Sequence, residues 1–251
     1  MAILYVASEA SELKPFAAML MGLRKLNWPL DYAFEGILEG RRVMLAANGA
    51  GPKLAARAVE VAIRAVTGAE LSSSKLEAVV STGYCGALDP ALPASRIIVA
   101  NRVLDLASKE TFDCACVTAL MREFSCGVVV SQDRVAIDGS EKYRLMLNDA
   151  IAVDMESSGV GARSKAAGLP FCCIKVVSDR ADESFATDFN RMRTAEGRMA
   201  RGKISLHAVT HPKLIGELFR LRRRTQDAAK ALGDFLVSCR ITPLLTSTPG
   251  E

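Results

Sequence analysis

The chain of 251 residues is half hydrophobic and about a quarter charged, and its formal net charge is only +4, which is ordinary for a globular protein with a sizeable core. No run approaches the roughly 18 consecutive apolar residues that a membrane-spanning helix needs, and no positively charged leader precedes the first apolar segment. We therefore expect a cytoplasmic protein, and the modest charge gives no reason to expect a nucleic-acid partner.

In chain order, hydrophobic patterning predicts a strand over residues 3–7, a helix over 11–26, a hairpin of strands 32–38 and 42–47, and a helix over 51–67. Strands follow over 76–82 and 96–104, then a helix over 111–124, a strand over 127–131 and a helix over 140–147. The pattern continues with a short strand over 152–155, a helix over 156–167 and a strand over 171–178, after which the chain is mostly helical.

This alternation of strands and helices predicts an α/β fold with a mixed central sheet flanked by helices. No internal repeat or linker divides the chain, so we predict one domain over residues 1–240 and a flexible C-terminal tail over 241–251.

The seven cysteines are odd in number and irregularly spaced, which argues against a disulfide framework. The two histidines, His207 and His211, stand far from any cysteine cluster, and His211 precedes Pro212, which disfavours helical geometry at that position. We therefore expect no metal site.

Polar or glycine-rich residues follow five of the predicted strands, at 48–51, 81–86, 131–133, 154–157 and 178–180. Ligands of such sheets bind beyond the carboxyl ends of the strands. The sequence therefore predicts a cleft lined by these five segments.

Four of these segments resemble, in family order, the motifs of the nucleoside phosphorylase and nucleosidase superfamily, particularly of 5′-methylthioadenosine/S-adenosylhomocysteine nucleosidases. They are Asn48-Gly49-Ala50-Gly51, Ser81-Thr82-Gly83-Tyr84-Cys85-Gly86, Val153-Asp154-Met155-Glu156-Ser157 and Val177-Ser178-Asp179-Arg180-Ala181-Asp182. The resemblance implies a nucleoside phosphorylase-like fold, a homo-oligomer, and cleavage, without a cofactor, of the bond between ribose and the base of an adenine nucleoside.

The resemblance also implies roles for three carboxylates: Asp179 as general acid toward the purine, Glu156 as the clamp on the ribose diol, and Glu12 as the base that activates water. Each has a structural alternative, namely a helix cap for Asp179, a helix-dipole contact for Glu156 and a solvated helix-start carboxylate for Glu12. The remaining substrate-binding candidates are Gly83, Tyr84, Val135, Met155 and Ser178, of which Met155 could equally be a core residue.

Two departures from the family pattern bear on the substrate. Val135 stands in Ser131-Gln132-Asp133-Arg134-Val135, where the family often has an aromatic ring to stack on the purine. Tyr84 replaces a small residue and could supply a ring or fill the pocket. Both changes put methylthioadenosine in doubt as the preferred substrate.

A basic amphipathic helix is predicted within residues 213–240, which hold seven Lys or Arg and three acids. Its outer face is either a solvated surface or a contact with an anionic membrane surface. Together with the variant Val153-Asp154-Met155-Glu156-Ser157, it is similar to the hopanoid-associated branch, whose members are thought to remove adenine from adenosylhopane.

Three other functions remain open at this point. A phosphorylase would use inorganic phosphate, which the amides of Gly49 and Gly51 could bind at a helix start. A non-catalytic nucleoside-binding protein would keep the fold without the chemistry. A nicotinamide-dependent oxidoreductase is disfavoured because no G-x-G-x-x-G motif follows the first strand.

Overall fold

The computed structural model describes residues 1–68, 75–119, 122–185, 188–192, 194 and 212–242. The strands are β1 Ala2–Ala7, β2 Met21–Lys25, β3 Tyr32–Leu38, β4 Arg41–Ala47, β5 Leu76–Ala87, β6 Ile97–Asp105, β7 Thr111–Asp113, β8 Cys116–Ala119, β9 Ser125–Ser131, β10 Ala150–Asp154, β11 Phe171–Asp179 and β12 Cys239–Thr242. The helices are α1 Ala10–Ala17, α2 Pro52–Thr67, α3 Gly139–Met146, α4 Ser157–Ala166 and α5 Pro212–Ser238, with a short 3₁₀ helix over Phe189–Met192.

A ten-stranded mixed sheet forms the centre, in the order β10-β9-β6-β11-β5-β1-β4-β3-β2, with β7 paired to β6. Strand β1 runs parallel to both neighbours, β4 and β5, whereas β11 is parallel to β5 and antiparallel to β6. Strand β10 also pairs with β5, so that β5, β11, β6, β9 and β10 close on themselves. The prediction of a mixed α/β sheet is confirmed.

Strand β1 shows why helices cover both faces of the sheet. Its six residues are all buried, with Leu4 and Val6 packing on one side and Ile3 and Tyr5 on the other. Because successive side chains point to opposite faces, such a strand needs an apolar cover on each side. Helices α2 and α4 supply one cover, and α1 and α5 supply the other.

The predicted hairpin is confirmed, since β3 and β4 pair antiparallel in full register. Its two turn residues, Glu39 and Gly40, both have positive φ angles, of 47° and 79°. This left-handed geometry at both positions matches the twist of the flanking strands. The buried stripe of α5, Ala228, Leu232, Phe235 and Leu236, likewise confirms the predicted amphipathic helix.

The predicted helix over residues 11–26 is wrong beyond Ala17. The chain leaves the helix there and forms the edge strand β2, in which Met21 pairs with Ile37 and Arg24 with Glu35. An ion pair between Arg24 and Glu35 supports this register. Every residue of β2 is exposed, so hydrophobic spacing does not indicate a strand there.

The predicted helix over residues 111–124 is also wrong. Strands β7 and β8 occupy much of that range, and buried Phe112 and Val117 each lie between two exposed neighbours. That alternation of period two is the strand pattern, but each strand is too short for it to dominate a helical window. Strand β8 pairs with β12, which includes residues 241 and 242 of the predicted tail. Residues 243–251 lie outside the described residues, as do His207 and His211.

Within the described part of the chain, no helix is long and apolar enough to cross a membrane. The same residues contain no group of three or more His, Cys, Asp or Glu that could hold a metal ion.

Candidate active site

A cavity of about 290 Å³ opens at the carboxyl ends of the central strands, as the polar strand ends predict. Residues of β5, β10, β11 and the start of α1 line it, together with Phe185 and Leu221. Of the residues predicted from the sequence, the following line it: Glu12, Tyr84, Val135, Met155, Glu156, Ser178 and Asp179.

Glu12 is buried against the backbone of β5. Its Oε1 accepts a hydrogen bond from the Glu9 N–H at 2.7 Å, and its Oε2 accepts one from the Tyr84 N–H at 2.9 Å. Burial, and then the negative charge of Glu156, raise the pKa of Glu12 from 4.5 to about 8, although Lys175 and the two N–H donors lower it. The alternative of a solvated helix-start carboxylate for Glu12 is therefore not supported.

Gly83 makes this position of Glu12 possible. A Cβ atom at residue 83 would lie 1.9 Å from Glu12 Oε2, and the φ angle of +112° there is one that other residues rarely adopt. Gly83 is thus a close-approach residue within a strand, since β5 continues to Ala87 instead of ending at Thr82.

Glu156 is the N-cap residue of α4 and is also buried. Its Oε1 accepts a hydrogen bond from the Gly51 N–H at 3.0 Å, and its Oε2 lies 3.9 Å from Lys175 Nζ. Burial raises the pKa of Glu156 to about 7; Lys175 opposes this rise, and Asp154 adds to it. Two acids with raised pKa values, Glu12 and Glu156, therefore face one cavity, which is a common property of catalytic sites.

Lys175, in the middle of β11, compensates part of this buried negative charge. Its ammonium group lies 2.6 Å from Asp154 Oδ2 and donates to the Thr82 carbonyl oxygen at 3.0 Å. Burial alone would lower the pKa of Lys175, but the carboxylates of Asp154 and Glu156 raise it above its ordinary value. Lys175 therefore favours its charged form and lies behind Glu156, the ribose-clamp candidate.

Asp179 ends β11 on another wall of the cavity and is buried. The Ser178 hydroxyl donates to its Oδ1 at 2.7 Å, and Lys142 Nζ donates to its Oδ2 at 2.5 Å. No helix begins at this residue in the described structure, so the helix-cap alternative for Asp179 is not supported.

The two glycines proposed for phosphate already use their N–H groups within the protein. The Gly49 N–H donates to the Ser8 carbonyl oxygen at 2.9 Å, and the Gly51 N–H donates to Glu156. The loop before α2 therefore orients a carboxylate of the cavity.

An aromatic ring that the motif did not indicate also reaches the cavity. Phe185 lines it, although the position expected to carry an aromatic ring holds Val135. Val135 is itself fixed by Asn190, whose side chain accepts from its N–H at 2.8 Å and donates to its carbonyl oxygen at 3.0 Å. The Tyr84 hydroxyl donates to the Thr225 carbonyl oxygen of α5 at 2.9 Å, so it links the part of β5 that lines the cavity to that helix.

Sequence reasoning missed the two buried lysines and Phe185. Lys175 had a readable signal, because it is a lone cation in the apolar run Phe171-Cys172-Cys173-Ile174-Lys175-Val176-Val177. Lys142 had none, since it stands among polar residues on a short helix.

The fold and this cavity define an α/β protein whose site is built from carboxylates at strand ends. Residues 3–209 match the family model of the phosphorylase superfamily, which is more than half of the chain. The chain therefore belongs to the phosphorylase superfamily, as the motifs predict.

Relatives agree with this assignment. A 5′-methylthioadenosine/S-adenosylhomocysteine nucleosidase of Baumannia cicadellinicola is 27% identical over 177 residues, which are 59% of this chain and 73% of that protein. The S-adenosylhomocysteine nucleosidase of Streptococcus pyogenes, solved with 5-methylthiotubericidin, superposes with a TM-score of 0.69 at 16% identity, covering 95% of each chain. The futalosine hydrolase of Helicobacter pylori superposes with a TM-score of 0.66 at 16% identity, covering 95% of this chain and 96% of that one. The two solved proteins are similar to this chain in fold, and all three are nucleosidases or hydrolases by name.

Proposed function

We propose that this chain is a purine nucleosidase that hydrolyses the N-glycosidic bond of an adenine nucleoside without a cofactor. The observation that carries this proposal is the convergence of Glu12, Glu156 and Asp179 on one cavity. The relatives named as nucleosidases and as a futalosine hydrolase support the same reaction class.

In this proposal, water attacks the anomeric carbon while the bond to the purine nitrogen breaks. Glu12 takes a proton from the water, and Asp179 delivers one to the purine N7, so the products are a free ribosyl sugar and neutral adenine. Glu156 accepts hydrogen bonds from the two ribose hydroxyls, and its negative charge stabilises the developing sugar cation. The Gly51 N–H holds Glu156 in place, and Lys175 limits the cost of its burial.

Phosphorolysis is the alternative with the same fold. The hydrogen bonds of Gly49 and Gly51 within the protein favour hydrolysis, since those amides are the ones suggested for phosphate. We expect adenine release to proceed in phosphate-free buffer and to yield free sugar, measured by chromatography of both products. Strict dependence on phosphate, with a ribose 1-phosphate product, would demote Glu12 and identify a phosphorylase.

The same assay separates an enzyme from a non-catalytic binding protein. A panel of adenine nucleosides that differ at the 5′ position should include at least one that releases adenine with the purified chain. Binding of several nucleosides without adenine release from any of them would favour the binding protein.

The finer substrate proposal is an adenosyl group attached to an apolar triterpenoid, as in adenosylhopane. Leu221 of α5 lines the cavity, and the next two residues, Arg222 and Arg223, are exposed. A basic surface beside the cavity would let the enzyme meet an anionic membrane from which such a substrate protrudes, at about 1 kcal/mol per basic residue.

This proposal predicts salt-sensitive binding to anionic vesicles, weakened by Arg222→Glu with Arg223→Glu and measured by co-sedimentation. The matched control is Lys53→Glu with Arg57→Glu, which makes the same charge change at exposed positions of α2, on the other face of the sheet. We expect adenosylhopane to be cleaved far better than methylthioadenosine. Efficient methylthioadenosine cleavage without vesicle binding at low salt would contradict the membrane proposal and leave the nucleosidase assignment intact.

A further inference from the structure

Lys142 is a buried cation that the roles proposed above leave unused. Its side chain, on α3, is only 1% exposed. Its Nζ donates to Asp179 Oδ2 and to the Arg180 carbonyl oxygen, each at 2.5 Å, and lies 5.7 Å from the centre of the Phe185 ring. An ammonium group is unfavourable inside a protein unless it is paired, so its position beside the general-acid candidate requires an explanation.

The helix that carries Lys142 is held firmly at its start. Asp138 caps it by accepting the Glu141 N–H at 2.7 Å. The Glu141 carboxylate in turn accepts from Arg134 at 3.0 Å and from the Ile137 N–H at 3.2 Å. Lys142 therefore points at Asp179 from a fixed support.

Asp179 is equally constrained, because each of its carboxylate oxygens has a donor. Ser178 donates to Oδ1 and Lys142 to Oδ2. A Cβ atom at residue 86 would lie 2.9 Å from Oδ2, so Gly86 leaves the room in which this oxygen sits.

The pair poses a chemical problem for a general acid. Lys142 Nζ donates its proton in the hydrogen bond to Asp179 Oδ2, whereas protonation of the purine needs a proton on the Asp179 side chain itself. The proton must then be available from the pair as a whole.

We propose that Lys142 stores the proton that Asp179 delivers to the leaving purine. This inference rests on the nucleosidase function proposed above. Before cleavage the pair is an ammonium and a carboxylate. As the glycosidic bond breaks, the purine takes that bond's electron pair, one proton passes from Lys142 Nζ to the Asp179 carboxyl group, and the Asp179 carboxyl group gives one proton to N7. Lys142 is left as a neutral amine beside a carboxylate, and a proton from water recharges it after adenine leaves. Because Lys142 acts through Asp179, it is a positioning residue.

The surroundings of Lys142 favour retention of one shared proton. The groups of the described residues that face it are Asp179 and the Arg180 carbonyl oxygen at the end of β11, the Phe185 ring, and Asp182, whose negative charge interacts with it. The other charged groups of its own helix are Glu141, which is paired with Arg134, and Arg144, which is exposed. The nearest partners are therefore acids, a carbonyl oxygen and a ring face, all of which stabilise a cation.

The test compares kcat for adenine release by the wild-type chain, Lys142→Met and Lys142→Arg between pH 5.5 and 9.5. The kcat of each variant is divided by that of wild type at the same pH, so that the ionisation of Glu12, which all the proteins share, cancels. In Lys142→Met the proton must reside on Asp179 alone, and we expect the ratio to fall by up to about tenfold per pH unit at alkaline pH while staying within about threefold of wild type near pH 5.5. Lys142→Arg keeps the cation but does not give up its proton, so it should be slow at every pH. Lys165→Met, which removes an exposed lysine paired with Glu110, is the matched control and should match wild type.

A second readout does not require turnover. The infrared difference spectrum against the corresponding Asp179→Asn protein should show an ionised Asp179 carboxylate in wild type and Lys142→Arg at pH 7, and a protonated carboxyl group in Lys142→Met. A pH-independent loss of activity in Lys142→Met, or an ionised Asp179 in that variant, would overturn the proposal. Wild-type protein that releases no adenine from any nucleoside would overturn the proposed function instead, and the infrared measurement would still decide whether Lys142 controls the charge of Asp179.

Discussion

Replacement of Asp179 by Asn is expected to lower kcat for adenine release by about two to four orders of magnitude, the usual range for loss of a general acid. The amide has nearly the same shape as the carboxyl group and can still meet Ser178, but it has no acidic proton for the purine. The change leaves the buried Lys142 ammonium group without its paired charge, so the variant should melt at a lower temperature than wild type, while the amide keeps polar atoms at both positions. Turnover by chromatography and the melting temperature by circular dichroism measure the two effects separately.

The control for this variant is Asp113→Asn, on strand β7. Asp113 is exposed and does not line the cavity, so its replacement should leave turnover within about twofold of wild type. A riboside with a leaving group that needs no protonation, such as p-nitrophenolate, should be cleaved almost normally by Asp179→Asn. Near-normal adenine release by Asp179→Asn would remove this residue from the mechanism.

The site could be predicted from sequence where motif and strand end coincide. Asp179 ends the apolar strand β11, and Glu156 stands two residues after the apolar strand β10. Both carboxylates line the cavity at the carboxyl ends of these strands, where ligands of such sheets bind. The buried strand β11 was equally readable, because a continuous apolar run needs cover on both faces. At these elements the local sequence pattern and the tertiary fold favour the same structure, so the sequence alone predicts it.

The remainder depended on partners distant in sequence. Strand β2 is exposed throughout and is held by its pairing with β3. Strand β8 is held by its pairing with β12, which lies more than 100 residues later in the chain. The pairing of Lys142 with Asp179 spans 37 positions and follows from the placement of α3 against β11. No local periodicity contains that information.

Replacement of Glu12 by Gln is expected to reduce hydrolysis by about 10²- to 10⁴-fold, because the amide cannot take a proton from water. The wild-type profile should also rise with pH on its acid side. Glu12 has to be ionised to act as a base, and its pKa is raised to about 8 by burial and by Glu156. This rising limb should be lost in the variant. The measurement is kcat against pH in phosphate-free buffer, with Glu60→Gln as the control, since Glu60 forms a surface pair with Arg64.

Although Glu12→Gln should lower activity, it should raise the free energy of unfolding at alkaline pH. The pKa of Glu12 is higher in the folded chain, about 8, than its ordinary 4.5, so the folded state binds more protons between these pH values. The contribution of Glu12 is therefore fully present below pH 4.5 and is lost as the pH rises through 8. Removal of this ionisation should make the variant more stable than wild type at pH 9, relative to pH 5, by up to about 4 kcal/mol in chemical denaturation. Glu156, with its pKa raised to about 7, has the same sign and remains in both proteins, so it does not produce the difference. Equal pH dependence of unfolding in the two proteins, together with hydrolysis retained in the variant, would show that Glu12 is an ordinary carboxylate and that another group activates the water.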